Sequence, residues 1–302
     1  MGLLTALGGK LAERWLSLLV VPGVMFVFTA VAGGHVLTHR HWKDVGRLRD
    51  HVDAVAADPA ARSPGVIVLV AVAVLIGSAV AGLAAQGCGR VVAWLWMGTW
   101  GPPARPLARW RHGRWSRAAD RYDRALAEKA RRLVHPDGGE PRAPLPDTVT
   151  LAAARNRIGL AEPRRPTWMG DRMLAVETRV RDAYDLDLAS AWPRLWLLLS
   201  EEARAPITQA QNAFTGAART AGWGTLYLAV GLWWWPALLI GTATWATAWS
   251  KGRSATETLA QLAEATVDLH TRDLAAALGI EVPAQAGHDV GESITRAVRK
   301  SS

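Results

Sequence analysis

The chain has 302 residues, half of them hydrophobic and a fifth charged, with a formal charge of +9 and a mean hydropathy of +0.07. That mixture excludes a disordered or fibrous chain, and a single cysteine excludes both an internal disulfide and a Cys-based zinc site. Sixteen Trp stand against three Tyr and three Phe, an imbalance suited to membrane–water interfaces, where an apolar ring carrying one N–H is well placed.

In chain order, residues 1–14 read as an amphipathic segment bearing Lys10 and Arg14. Three long stretches without a charged side chain follow: 20 residues at 15–34, 27 at 63–89 and 31 at 220–250. A spanning helix needs about 20 apolar residues, so 15–34 and 64–89 predict one membrane span each. Ala30-Val31-Ala32 also fits a signal-peptide cleavage site, but 15–34 is long enough to span. Between the two spans, 35–63 reads as an external loop rich in His.

Residues 90–135 read as interfacial and basic helices. Trp94, Trp96 and Trp100 mark an interface segment ended by Pro102 and Pro103, and Trp115, Ala119, Tyr122, Leu126, Ala130 and Leu133 recur at helical steps. A Pro- and Gly-rich linker covers 136–166. Helices follow over 167–219, one predicted at about 168–185 from the stripe Met169, Met173, Val176, Val180 and Tyr184, and one starting at Ser200 with acids in its first turn.

As one helix, 220–250 would be about 46 Å long and would bury three tryptophans and a proline near the bilayer midplane. A hairpin turning at 233–236 instead places Trp233, Trp234 and Trp235 at an interface and lets Pro236 start the return arm. Residues 251–302 predict C-terminal helices, the first closed by Gly279 and the last amphipathic over about 289–299. No segment carries a strand signal.

Orientation follows the basic residues. Residues 90–132 hold eleven basic against three acidic side chains, which predicts a cytoplasmic position for them and for both termini.

Four of the eight His lie at His35, His39, His41 and His51, weak candidates for a divalent metal with Asp50 or Asp53. A solvated loop is the simpler reading. Arg105, Arg109, Arg111, Arg114 and Arg117 form a stronger cluster, predicted to hold their helix against anionic lipid headgroups. Nucleic acid is not expected, because lipid accounts better for the Trp residues. In the second span Gly77, Ala81 and Ala85, beside Ser78 and Gly82, form a small-residue face suited to internal packing.

There is no GxSxG, and Gly8-Gly9-Lys10 lacks the rest of a phosphate loop. The charge-free stretches carry no ionisable pair of the kind an ion-coupled carrier uses. Thr225, Thr242, Thr244 and Thr247 could line a simple pore, or bond to their own helix.

The segments ERWLSLLVVPG, DVGRL, GLAAQ, LYLAVGLWWWPALLIG and VDLHTRDLAAALG resemble those of an uncharacterised actinobacterial family of multi-pass integral membrane proteins. The resemblance implies a helical membrane protein and carries over no activity and no site residue. VDLHTRDLAAALG is also similar to the tails of some bacterial membrane components of multi-protein systems.

The sequence thus predicts an all-α integral membrane protein of the bacterial cytoplasmic membrane, with two spans, a short Trp/Pro-tipped hairpin and a cytoplasmic helical region. The expected function is a non-enzymatic anchor or interaction component that binds a partner protein or its own copies and needs no cofactor. A pore-forming or membrane-perturbing effector is the alternative, motivated by the short hairpin.

Overall fold

The computed structural model describes residues 21–37, 44–57, 59, 63–134, 147–281 and 288–299. Every regular element among them is helical: α1 (Val21–Val31), a π-helical turn (Ala32–Leu37), α2 (Val45–Ala57), α3 (Pro64–Met97), α4 (Ala104–Val134), α5 (Thr148–Ile158), α6 (Trp168–Tyr184), α7 (Leu188–Leu198), α8 (Glu201–Val230), α9 (Pro236–Ala277) and α10 (His288–Arg299). The chain divides into two compact units, Met1–Ala93 with Thr215–Lys251 and Trp94–Phe214 with Gly252–Ser302.

In the first unit α3 begins at a Ser-Pro cap. Ser63 Oγ accepts from the Val66 N–H at 3.3 Å, and Pro64 at the first helical position gives up no needed donor. The helix runs 34 residues, about 51 Å. It is long and apolar enough to span a membrane, and only 17% of its most apolar stretch is buried.

Neither of the other two charge-free stretches forms a spanning helix among the described residues, and the third turns close to the expected 233–236. Only α3 meets the spanning criterion among the described residues. Of the first expected span, 15–20 lie outside the described residues, and the rest is α1, 11 residues long, followed by the π-helical turn. In the third stretch α8 ends at Val230, the chain turns, and α9 starts at Pro236. Pro236 begins a helix because its missing N–H costs nothing there. The charge-free arms, 220–230 and 236–250, are about 16 and 23 Å long, below the roughly 30 Å hydrocarbon thickness. The 35–63 segment, read as a loop, contains α2, which packs against the π-helical turn.

Small residues hold this unit together. Ser78, Ala81 and Ala85 of α3 are buried. A Cβ on Gly222 of α8 would overlap the Ala85 carbonyl oxygen, and Gly23 of α1 lies against Ser78. The small-residue face therefore serves close helix packing inside the fold. The α8 and α9 arms run antiparallel. Leu238 packs against Gly231, Leu228 packs against Gly241, and Trp245 Nε1 donates to Thr225 Oγ1 at 3.2 Å. Phe26 meets the Tyr227 ring edge-on, with centroids 5.4 Å apart.

The second unit has a conventional aliphatic core. Val176 and Val180 of α6, Ala191 and Leu195 of α7, Ala260, Ala263, Val267 and Leu274 of α9, and Val290, Ile294 and Val298 of α10 cluster together. Local chemistry sets the helix ends. Thr167 Oγ1 accepts from the Gly170 N–H at 3.1 Å and Asp147 caps α5. Helix α9 closes on Gly279 at φ 72°. There the Ile280 N–H bonds to the Ala275 carbonyl and the Gly279 N–H to that of Ala276, both at 3.0 Å. Ile280 packs on the core, completing the paired bonds and apolar contact of a glycine-capped helix end.

Candidate functional site

The five arginines singled out on α4 separate into two groups. Arg105, Arg109, Arg114 and Arg117 are exposed. Arg114 stacks over the Trp110 ring at 4.9 Å from its centroid, and Trp110 is itself 54% exposed. Trp110, Arg114, Arg117, Arg121 and Arg124 recur at three- and four-residue steps, so one face of α4 presents tryptophan and guanidinium groups together. Arg121 and Arg124 were not singled out from sequence, although the same periodicity marks them.

Arg111 departs from the expected headgroup surface: it is 8% exposed. Its Nη1 donates to Asp171 and to the Arg165 carbonyl, the latter at 2.6 Å, and its Nη2 donates to the Ile158 carbonyl at 2.6 Å. Asp171 also accepts from the backbone N–H groups of Arg164 and Arg165 at 2.8 and 2.6 Å. Trp115 Nε1 donates to the Gly159 carbonyl at 2.9 Å. These bonds fasten the 159–167 connection onto α4 and α6, so Arg111 is a structural group whose donors are spent inside the protein.

A second cluster, not foreseen from sequence, ties α6 to α9. Arg172 is 4% exposed. It binds Glu257 through Nε at 2.8 Å and Nη2 at 3.1 Å, and Glu264 through Nη1 at 3.0 Å. Arg179 binds the same Glu264 oxygen at 2.6 Å. Burial pushes the Glu257 carboxyl up, but the hydrogen bonds and charge of Arg172 outweigh it and hold the group below its ordinary value. Arg253 stacks on Trp168, 4.2 Å from the ring centroid. Burial lowers its pKa first and the Arg111 charge lowers it further, against a smaller attraction from Glu257. Such pairs join residues some 85 positions apart, and no local spacing reveals them.

A half-open cavity of about 320 Å3 lies along the same unit, lined among others by Leu160, Glu162, Arg164, Trp168, Leu174 and Asp182. Its mixed charge selects no single ligand.

His51 is an exposed residue of α2, and Asp53 pairs with Arg49 at 3.8 Å. His39 and His41 lie outside the described residues, as does the His35 side chain. Among the described residues no three His, Cys, Asp or Glu groups gather as a metal site would require. At the hairpin tip a Cβ on Gly33 would lie 3.0 Å from the Trp234 ring, and one on Gly34 3.1 Å from Trp233 Nε1. Trp234 thus packs against the π-helical turn, while Trp233 stays 44% exposed and Trp235 and Pro236 are half-buried. Thr242 and Thr247 donate to carbonyls of their own helix at 2.7 and 2.9 Å, and Thr225 does so at 3.0 Å.

Comparison with protein-family models, curated proteins and solved structures returned no match.

Proposed function

We propose that the chain is a multi-pass integral protein of the bacterial cytoplasmic membrane. It serves as a non-enzymatic anchor or interaction component, and its cytoplasmic helices bind a partner protein or another copy of the chain. The observation that carries the membrane part is the surface of α3. Ile67, Val68, Leu69, Ile76, Val80 and Leu83 are each more than half exposed. In water, so broad an apolar surface on one unit would drive aggregation; in a bilayer it is the solvated state.

In this reading the short α8–α9 arms enter the membrane as a hairpin, and the exposed basic face of α4 lies on the cytoplasmic side. There each basic residue near an anionic leaflet contributes about 1 kcal/mol. Both termini are cytoplasmic.

Purification of a tagged full-length chain in mild detergent tests the interaction role. The expected result is a discrete complex, either a homo-oligomer or a stoichiometric assembly with a cytosolic protein. A monodisperse monomer that conducts ions in proteoliposomes, with conductance abolished by replacing Trp233, Trp234, Trp235 and Pro236, would support the effector instead.

A further inference from the structure

Trp168 sits among charged side chains of both signs, with Glu162 and Asp182 on the same cavity wall. Four arginines, Arg111, Arg172, Arg179 and Arg253, share three carboxylates, Asp171, Glu257 and Glu264. Each carboxylate is already committed. Asp171 binds Arg111, Glu257 holds Arg172 through both oxygens, and Glu264 binds Arg172 and Arg179. Glu257 lies one helical turn beyond Arg253, where an ion pair would be natural, yet its oxygens point to Arg172.

Among the described residues, Arg253 alone of these four has no carboxylate within ion-pair distance. It is half-buried, with its guanidinium plane held on the Trp168 ring. Burial and the neighbouring Arg111 charge oppose its positive state, against a smaller attraction from Glu257. A partly desolvated cation with fixed orientation and no carboxylate in ion-pair contact, offset only by that attraction, matches a planar or tetrahedral oxyanion.

We propose that Arg253, positioned by Trp168, binds the phosphate of an anionic phospholipid headgroup. The headgroup is favoured over a soluble phosphate because Arg253 follows the charge-free stretch 220–250 by three residues. A basic side chain so placed lies at headgroup level once that stretch is in the bilayer. To that extent the assignment rests on the membrane reading above. It differs from the α4 face, whose arginines are exposed and act as a diffuse charge.

Native mass spectrometry of the delipidated, detergent-purified full chain tests the site, with phosphatidylglycerol, phosphatidylcholine or inorganic phosphate added. Wild type should retain one phosphatidylglycerol that survives removal of the rest. Arg253→Gln should lose that lipid by about tenfold in affinity, the scale of one charge-assisted contact. Arg253→Lys should keep part of it, and Arg114→Gln with Arg117→Gln should keep it fully while lowering the total lipid bound.

Melting supplies a second readout. Phosphatidylglycerol should raise the midpoint of wild type but not of Arg253→Gln, whose lipid-free midpoint should equal or exceed that of wild type because an unpaired cation is gone. Equal retention by wild type and Arg253→Gln would overturn the site. Competition by millimolar inorganic phosphate would overturn the headgroup as the ligand. Failure of the membrane reading shows separately, as release of the chain from membranes at alkaline pH. Phosphate binding that needs Arg253 would then mark a soluble ligand and equally overturn the headgroup assignment.

Discussion

Arg172 shows how single side chains govern the second unit. Its guanidinium is almost fully enclosed, whereas Glu257 and Glu264 keep 33% and 25% of their side-chain surface. Replacing it with Leu leaves two carboxylates short of their partner, which should cost about 2–3 kcal/mol, below the value for a fully buried pair because solvent screens the acids. Thermal unfolding followed by circular dichroism checks this.

The pH dependence has a definite sign. Glu257 has a depressed pKa in the folded protein, so its stabilisation is full above the ordinary glutamate value, about 4.3, and is lost as pH falls through the lower folded value. In Arg172→Leu the main lowering influence is gone, and burial is offset only by the Gln261 hydrogen bond and the Arg179 charge, so acidification costs the variant less than it costs wild type. The difference in melting midpoint between wild type and Arg172→Leu should therefore shrink from pH 7 to pH 4. A constant difference would show that the pair does not set the Glu257 titration.

At the scale of the elements, the two units are held by different means. The first relies on backbone approach, and two glycines of α8 separate that effect from helix propensity. Gly222 lies against Ala85, whereas a Cβ on Gly216 would meet nothing within 4 Å. Gly222→Ala should lower the yield of folded protein sharply. Gly216→Ala should be neutral or stabilising by about 0.5–1 kcal/mol, as expected for removing a glycine from an open helix position. Equal effects in denaturation of the detergent-purified protein would refute close packing of α3 and α8.

The second unit relies on aliphatic burial, with Ile294 of α10 fully buried. Ile294→Ala should cost about 2–4 kcal/mol. It should also loosen α10, which is otherwise held by Val290 and Val298 in the same cluster, by Arg299 to Asp187 at 2.6 Å and by the Asp187 N–H to Thr295 Oγ1 at 3.0 Å. Limited proteolysis near residue 288 reports that loosening.

These elements show what local pattern reveals. The stripe from Met169 to Tyr184 and the Gly279 stop located α6 and the end of α9, because helix periodicity and capping are short-range properties. Pro236 marked the start of a helix for the same reason. The Arg172 and Arg111 networks were illegible because their partners come from distant helices. Helix α2 was missed because charge and His content at 35–63 masked a helical segment. Arg111 was misassigned because the spacing of arginines says nothing about which one turns inward.

For the whole molecule, the apolar α3 surface favours a bilayer setting, and the proposed headgroup contact of the basic α4 face depends on it. The placement of the C-terminus is a separate expectation. A reporter fused after Ser302 should be active only on the cytoplasmic side, and an external signal would replace the hairpin by a single crossing.

Membrane integration is the central claim, and alkaline carbonate extraction of membranes from cells expressing the full chain tests it most directly. Carbonate strips proteins held by charge and leaves those held by apolar contact with lipid. The expected result is that the chain stays in the membrane pellet and moves to the supernatant only with detergent. Release into the carbonate supernatant as a folded, dispersed protein would contradict it.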